Sequence, residues 1–439
     1  MAATIFALSS APGRAGIAVI RVSGDAAREA FETLTGRALP EPRQVVLVHL
    51  RDQAGHSIDR ALGLWFRAPS SFTGEDVCEF HTHGGHAVTE AVLGALGRIS
   101  GLRLADPGEF TRRAVEHGKL DLTAAEAVAD LIEAETEQQR LLALRQQEGA
   151  LAELYGRWRE QLTRVLAWVE AAIDFGEDEV PETIWTSARH DTERLSYEMR
   201  QHLDDSHRGE LIRDGLTVAV VGPPNAGKSS LVNVLSKREV AIVAPTAGTT
   251  RDLIEVRLNL SGYAVTLVDT AGLREAAEEV EAEGIRRSLI RAQNADLRIL
   301  VLDAADSGAA MKLPDEVRRG ADIVVWNKAD LCSAPGPAAL GISARTGAGI
   351  SDLVEILARC VRERLQLSRE APVLTRARHR ASVEDAVRAL ERALVAPAGA
   401  PELMAEDLRL ASRALGRITG AVDVEQLLDV IFRDFCIGK

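Results

Sequence analysis

The residues best equipped for chemistry in this sequence begin at Gly222. The run Gly222–Ser229 reads G-x-x-x-x-G-K-S and directly follows an apolar stretch, Leu216–Val221. Glycines at both ends of such a loop allow backbone conformations that a side chain would block, so successive N–H groups can turn inward toward an anion. A helix starting at Lys228 adds the partial positive charge of its N-terminus. In this spacing Lys228 reaches the β- and γ-phosphates of a nucleotide, and the Ser229 hydroxyl ligates Mg²⁺. Asn225, Ala226, Gly227, Lys228, Ser229 and Ser230 are therefore the predicted phosphate cradle.

Four further elements follow in order. Asp269-Thr270-Ala271-Gly272 closes the apolar run Val265–Val268. Its carboxylate can hold Mg²⁺ through water, and the Gly272 N–H can meet a γ-phosphate. Asn327-Lys328-Ala329-Asp330 closes the run Ile323–Trp326. Asp330 can accept both N1–H and the exocyclic amino group of guanine, a donor pair that adenine lacks, so this element selects GTP over ATP. Ser343-Ala344-Arg345 can supply the Ala344 N–H to guanine O6. Between the first two elements, Gly248-Thr249-Thr250-Arg251-Asp252 places Thr250 where it can meet Mg²⁺ only when a γ-phosphate is present. Each element alone is a weak signal. All five in order predict GTP binding and hydrolysis, with Mg²⁺ on Ser229 and Thr250 and with Lys228 and Thr250 assisting the reaction.

Many small GTPases orient the attacking water with a glutamine directly after the D-x-x-G glycine. Leu273 stands there instead, so the catalytic group must come from elsewhere, and the carboxylates between Leu273 and Ala282 are candidates. Asn225 has two readings. Its amide oxygen can serve a monovalent cation beside the phosphates and offset developing charge, or it can bond its own loop backbone.

The elements that must position these residues can be read from composition and patterning. The 439 residues leave room for about three domains, and 46% apolar with 27% charged residues describes an ordinary globular protein. A net charge of −13 argues against binding nucleic acid by bulk electrostatics. Arg376, Arg378, His379 and Arg380 form the densest basic cluster, read as a solvated helix start or a local RNA contact. No apolar run reaches membrane-spanning length, the N-terminus shows no targeting pattern, and the four scattered cysteines suit a reducing cytoplasm. His81, His83 and His86 could hold a metal, but no acid neighbours them by spacing. Residues 1–118 alternate short strand-type runs (Gly16–Val22, Val45–Leu50, Ala61–Phe66 and Val77–His81) with turns and predict an α+β domain. Residues 119–214 and 366–439 read as helical, and strand-type runs return only in 215–365. Because 366–439 alone would bury a thin core, one helical domain interrupted by the GTPase is favoured over two separate bundles.

The motifs GPPNAGKSS, AGTTRD, DTAGLRE, NKAD and SAR resemble the translation-factor-related GTPases that depend on potassium. Outside them, SFTGEDV (Ser71–Val77), HGG (His83–Gly85), PGEFTRRA (Pro107–Ala114), KLDLTAAEA (Lys119–Ala127) and the final FCIGK (Phe435–Lys439) are similar to those of the MnmE/TrmE family of tRNA-modifying GTPases. The resemblance implies a fold: an α/β P-loop GTPase domain, a Ras-like mixed sheet flanked by helices, inserted in an all-α helical domain and preceded by an α+β folate-binding domain that dimerises. It implies a function as well. K⁺-activated GTP hydrolysis would be tied to aminomethyl or carboxymethylaminomethyl addition at C5 of the wobble uridine of certain tRNAs. An FAD-dependent partner subunit in a heterotetramer and a reduced folate, 5-formyl- or methylene-tetrahydrofolate, would take part, in the cytoplasm and away from membranes. Carried over to this chain, K⁺ would be held by Asn225, Ala244, Thr246 and Thr249, and Glu281 would position the water indirectly. Folate would meet Arg21, Glu79, Lys119 and Lys439, and Cys436 is either a thiol near the folate or a small buried hydrophobe. A rival class, a GTP-dependent switch in ribosome assembly, would be expected to append a basic RNA-binding module where this chain ends in a helical segment.

Overall fold

The computed structural model describes residues 3–175, 182–238, 240–242, 255–269, 295–306, 308, 318–336, 339–366, 372–397, 400–422, 425–433, 435 and 437–438. The chain forms two compact units, one of residues 1–129, 146–193 and 388–439, the other of residues 130–145 and 194–387.

In the first unit, β1 (Thr4–Leu8), β2 (Ala15–Ser23), β3 (Val46–Arg51), β4 (Ser57–Phe66), β5 (Val77–Gly84) and β6 (Leu102–Leu104) form one sheet in the order β3-β4-β5-β2-β1-β6. The pairings are antiparallel except β1 with β6. Period-two alternation sends Val48, Leu50, Ala61, Trp65, Ile20, Val22, Cys78 and Phe80 to one face, where they are buried. That face is covered by α1 (Ala27–Thr35) and α2 (His86–Leu96). Helix α1 buries Ala27, Ala30, Phe31 and Leu34, the i, i+3, i+4, i+7 set of an amphipathic helix, and Phe31 stacks on Phe80 with ring centroids 5.7 Å apart. Arg21, Glu79 and His81 lie on the opposite face. There α3 (Glu109–Glu116) brings Phe110 against Ile5 and Ala7.

The same unit holds the long helix α6 (Ala150–Phe175), which packs along the helix Pro401–Thr419. Tyr155, Trp158, Leu162, Val165 and Val169 are buried at alternating spacings of three and four on α6, and Met404, Leu408, Ala411, Leu415 and Ile418 are buried on the other helix. Helices from before and after the GTPase segment thus share one core, as an inserted GTPase requires. The last described helix, Glu425–Arg433, places Leu428 and Phe432 against Leu122 and Ala125 of α4 (Leu122–Glu133).

The second unit contains α5 (Glu137–Gln147) for most of its length, the end of α7 (Glu182–Leu203), α8 (Arg208–Asp214) and a sheet of β7 (Leu216–Val221), β8 (Glu255–Leu260), β9 (Tyr263–Asp269), β10 (Leu297–Asp303), β11 (Ile323–Asn327) and β12 (Leu340–Gly341). Its order is β12-β11-β10-β7-β9-β8, all parallel except β8. Val218, Val220, Ile299, Val301 and Val325 face a core completed by α9 (Lys228–Ser236) and the helix Ile350–Leu365, while Ala219, Val221, Leu300 and Leu302 are buried on the other side. Burial on both faces explains why β7 and β10 read as nearly unbroken apolar runs.

Arg376 and Arg380 are not part of a solvated helix start. Arg376 and Arg213 both donate to one Asp130 oxygen, at 2.6 and 2.9 Å, and Arg380 pairs with Asp205 at 2.7 Å and Glu210 at 3.2 Å. His379 is fully buried beside them. The partners lie more than 160 residues away in sequence, so spacing alone could not reveal them.

Candidate functional site

Ligands of open α/β sheets bind beyond the carboxyl ends of the strands, where the strand order reverses. Here that point is the end of β7, whose neighbours β9 and β10 lead away in opposite directions. The loop after β7 is shaped by close contacts. Gly222 has φ 151°, and a Cβ there would sit 2.2 Å from the Val301 carbonyl oxygen. Gly227 has φ 94°, and a Cβ there would sit 2.1 Å from Asn327 Nδ2. Neither position admits any other residue without displacing a neighbouring strand end. Asn225, at φ 63°, is exposed at the loop's outer edge, a conformation that asparagine tolerates.

Lys228 opens α9 and is 7% exposed. Its ammonium donates to the Gly222 and Pro223 carbonyls, both at 2.9 Å, and so is folded over the cradle it is expected to serve. One residue on, Ser229 Oγ donates to Asp269 Oδ2 at 2.5 Å, with Asp269 buried at the end of β9. A hydroxyl and a carboxylate converging beside a phosphate cradle are hard oxygen donors of the kind Mg²⁺ takes, its remaining positions going to water and phosphate. Ser230 is exposed on the next position of α9.

The predicted base-recognition loops are held against this cradle. Asn327, 3% exposed, donates from Nδ2 to the Ala226 carbonyl at 2.8 Å and accepts the Ala344 N–H on Oδ1 at 3.0 Å. One side chain therefore ties the phosphate loop to the 343–345 loop, and the Ala344 N–H expected to face guanine O6 is engaged by Asn327 here. Asp330 accepts from Ser343 Oγ at 2.6 Å and from Arg345 at 2.8 Å. The Ser343 hydrogen bond above all, then a backbone hydrogen bond and the Arg345 charge, outweigh burial and hold the Asp330 carboxyl below the usual range, so it stays ionised as an acceptor. The Arg345 side chain is 76% exposed. An ion pair so open to water is easily exchanged for a ligand. Lys328, at φ 65°, reaches Asp303 at the end of β10.

Thr249, Thr250, Thr270, Ala271, Gly272, Ala244, Thr246 and Glu281 lie outside the described residues, as do Cys436 and Lys439.

In the first unit, Arg21 and Glu79 are register partners on β2 and β5, with Nε to Oε1 at 2.8 Å. At 21% and 13% exposure, this pair is not on a solvated sheet face. The Arg21 guanidinium lies 5.4 Å from the Phe72 ring centroid and 5.7 Å from that of Phe110. Glu79 also meets His81 Nε2 at 3.3 Å. Lys119 donates to the Pro69 carbonyl at 2.9 Å, so the connection between β4 and β5 carries contacts to both Lys119 and Arg21. The Gly438 carbonyl accepts from Ser9 Oγ at 2.9 Å, which fixes the tail beside the end of β1. Spacing alone does not place Phe72, Phe110 or His81 around Arg21, because their proximity depends on strand pairing and on the position of α3. Acids do neighbour the histidines: Glu79, two residues before His81 on the same face of β5, meets it, and Asp59, brought in by the pairing of β4 with β5, meets His83 Nδ1 at 2.8 Å. Burial opposes ionisation of Asp59, yet the His83 backbone N–H and ring hold its carboxyl below the usual range.

Sequence comparison agrees with this geometry from end to end. A profile of the MnmE helical domain matches residues 122–436, and one of the GTP-binding protein TrmE N-terminus matches residues 4–119. The tRNA modification GTPase MnmE of Parvibaculum lavamentivorans is 57% identical over 443 residues, covering 99% of this chain and 100% of the relative. That of Paramagnetospirillum magneticum is 52% identical over 449 residues, covering 100% of both. Among solved structures, the G domain of the T. maritima FeoB iron transporter is 26% identical and covers 34% of this chain and 99% of that chain. Its TM-score of 0.24 is too low to support the fold assignment, which rests on the strand order and the family matches. With profiles over both parts and full-length relatives above half identity, the chain belongs to the MnmE/TrmE family of tRNA modification GTPases.

Proposed function

We propose that this chain hydrolyses GTP in a K⁺-activated reaction that serves modification of C5 of the wobble uridine in certain tRNAs. A reduced folate would act as one-carbon donor and an FAD-dependent subunit as partner to a homodimer. The observation that carries the GTPase part is the single hydrogen-bonded assembly at the end of β7, in which Asn327 joins the phosphate loop to the base loop while Ser229 meets Asp269. Family membership supports the tRNA part. We read the domains as 1–118, 119–214 with 366–439, and 215–365.

Within this reading, the loop N–H groups and Lys228 neutralise the phosphates, and Lys228 exchanges its two carbonyl partners for phosphate oxygens when GTP binds. Asp330 accepts the two guanine N–H groups in place of Arg345. Ser229 and Thr250 would hold Mg²⁺, which would supply positive charge to offset that developing on the phosphates. Asn225, with Ala244, Thr246 and Thr249, holds K⁺. Asn225 is exposed in the loop, and an amide oxygen is a ligand type that a large monovalent ion takes; with Leu273 unable to orient water, Glu281 would do so indirectly. In the first unit, Glu79 suits the amino and ring N–H groups of a pterin. Arg21, Lys119 and Lys439 suit an anionic glutamate tail, and Phe72 and Phe110 hold the Arg21 fork in place. Phosphate release measured in KCl and in NaCl at matched ionic strength tests the cation assignment. K⁺ is expected to stimulate turnover where Na⁺ does not, and equal rates would remove the cation from the mechanism.

A further inference from the structure

We propose that Asp303 is a positioning residue for guanine-nucleotide binding: it tethers the end of Lys328 and thereby fixes the lysine stem beside the base site, without touching the nucleotide itself. The inference rests on the reading of this site as a guanine-nucleotide pocket.

The geometry begins with strand register. Asp303 ends β10 and is the Cα partner of Asn327 at the end of β11. Lys328 is therefore the first residue past the sheet on the strand beside Asp303, and its φ of 65° turns the chain back sharply. The backbone there is pinned on both sides, with the Ala304 N–H donating to the Asn327 carbonyl at 2.9 Å and the Leu331 N–H to the Lys328 carbonyl at 2.9 Å. Lys328 Nζ meets Asp303 Oδ2 at 2.5 Å, while Oδ1 accepts the Ala305 N–H at 2.9 Å. With an oxygen engaged on each side, the carboxylate has one orientation. The Lys328 hydrogen bond is the chief reason that its carboxyl lies below the usual range.

Each chemistry-bearing side chain of the Asn327–Asp330 turn is thus held by a partner outside the turn. Asn327 is held by Ala226 and Ala344, Asp330 by Ser343 and Arg345, and Lys328 by Asp303. Lysine is the member that most needs such a partner. Its four-carbon stem samples many rotamers when its end is loose, and ordering that stem at the moment of binding opposes affinity. Tethered, the stem presents a fixed apolar surface to the face of a purine. A face contact reads no hydrogen-bonding edge, so Asp303 should govern affinity for any purine nucleotide accepted by the site, whereas Asp330 governs the choice among them. The competing reading is an ion pair at 34% and 22% exposure that contributes little to anything.

The two readings separate in equilibrium binding of GDP and of IDP, which lacks the exocyclic amino group, to the full chain and to Asp303→Asn, Lys328→Ala and the double variant. Asp303→Asn keeps the side-chain shape and the acceptor for Ala305. It is expected to weaken both ligands by about ten-fold, the scale of one lost charged hydrogen bond, with the GDP-to-IDP ratio unchanged. The double variant should bind no more weakly than Lys328→Ala alone, because Asp303 acts only through that stem. Lys328→Met keeps the stem, removes the ammonium and should match Asp303→Asn, so the test survives misfolding of any one variant. GDP affinity within two-fold of the parent in Asp303→Asn or Lys328→Met would overturn the proposal. Penalties that multiply in the double variant, or an altered GDP-to-IDP ratio, would do the same. Failure of the parent chain to bind GDP would instead refute the pocket reading on which the proposal stands.

Discussion

Replacing Gly227 by alanine tests whether the phosphate loop and the base loop are one mechanical unit. The new Cβ would sit 2.1 Å from Asn327 Nδ2, far inside contact distance, in a backbone held at φ 94°. Left-handed backbone at a non-glycine residue costs roughly 1–2 kcal/mol. The clash must be relieved by moving Asn327, which is 3% exposed and makes two hydrogen bonds, to Ala226 and from Ala344. Losing both adds about 1 kcal/mol each. The sum is about 3–4 kcal/mol, which for a unit of this size lowers the midpoint of thermal unfolding by roughly 6–16 °C. GDP binding should fall with it, since the same movement pulls the 343–345 loop off the base site. The assay is thermal unfolding and GDP calorimetry of Gly227→Ala, Asn327→Ala and the double variant. In the Asn327→Ala background the glycine change should cost only the backbone part, about 1–2 kcal/mol. A Gly227→Ala chain with parental stability and affinity would refute the reasoning, and a full additional cost in the double variant would show that Asn327 is not the neighbour displaced.

Asp330→Asn should weaken GTP binding by on the order of 10–100-fold, because guanine's N–H groups lose their carboxylate partner. Xanthine nucleotides should gain in affinity, and competition binding with GTP and XTP measures both. Desolvation pushes the His202 imidazole down to about 4, with Arg380 and His379 acting in the same direction and Asp205 against it. The unfolded chain therefore binds a proton near pH 6.5 that the folded chain does not bind until about pH 4. The contribution of His202 is fully present above pH 6.5 and is lost as the pH falls toward 4. Denaturant unfolding of the parent and of His202→Gln across that range should show a slope that the variant lacks.

The site was legible in the sequence where its chemistry is local. The phosphate loop and the Asn327–Asp330 turn each need a fixed spacing after a buried strand, and both strands, β7 and β11, announce themselves as apolar runs. Partners supplied by strand register were not legible. Asp303 lies 25 residues from Lys328, and Glu79 lies 58 residues from Arg21. Their meeting depends on which strands are neighbours, which periodicity does not reveal. In the N-terminal sheet, β2 to β5 are legible within a few residues as strand-type runs between turns. β1 was missed because Thr4 to Ala7 are all buried and so do not alternate, and β6 because it has only three residues. The Arg376 and Arg380 pairs are hidden from the sequence for the same reason, their acids lying far away on α4, on α8 and in the turn before α8.

We propose that GTP chemistry at Lys228 and Asp269 drives modification of the wobble uridine. Mass spectrometry of nucleosides from the tRNA of a strain lacking this protein, complemented with the parent chain or with Lys228→Ala, tests it most directly. C5-substituted wobble uridines should be absent without the protein, restored by the parent chain and still absent with Lys228→Ala. Undiminished C5 modification in the deletion strain, or full restoration by Lys228→Ala, would separate GTP hydrolysis at this site from the modification.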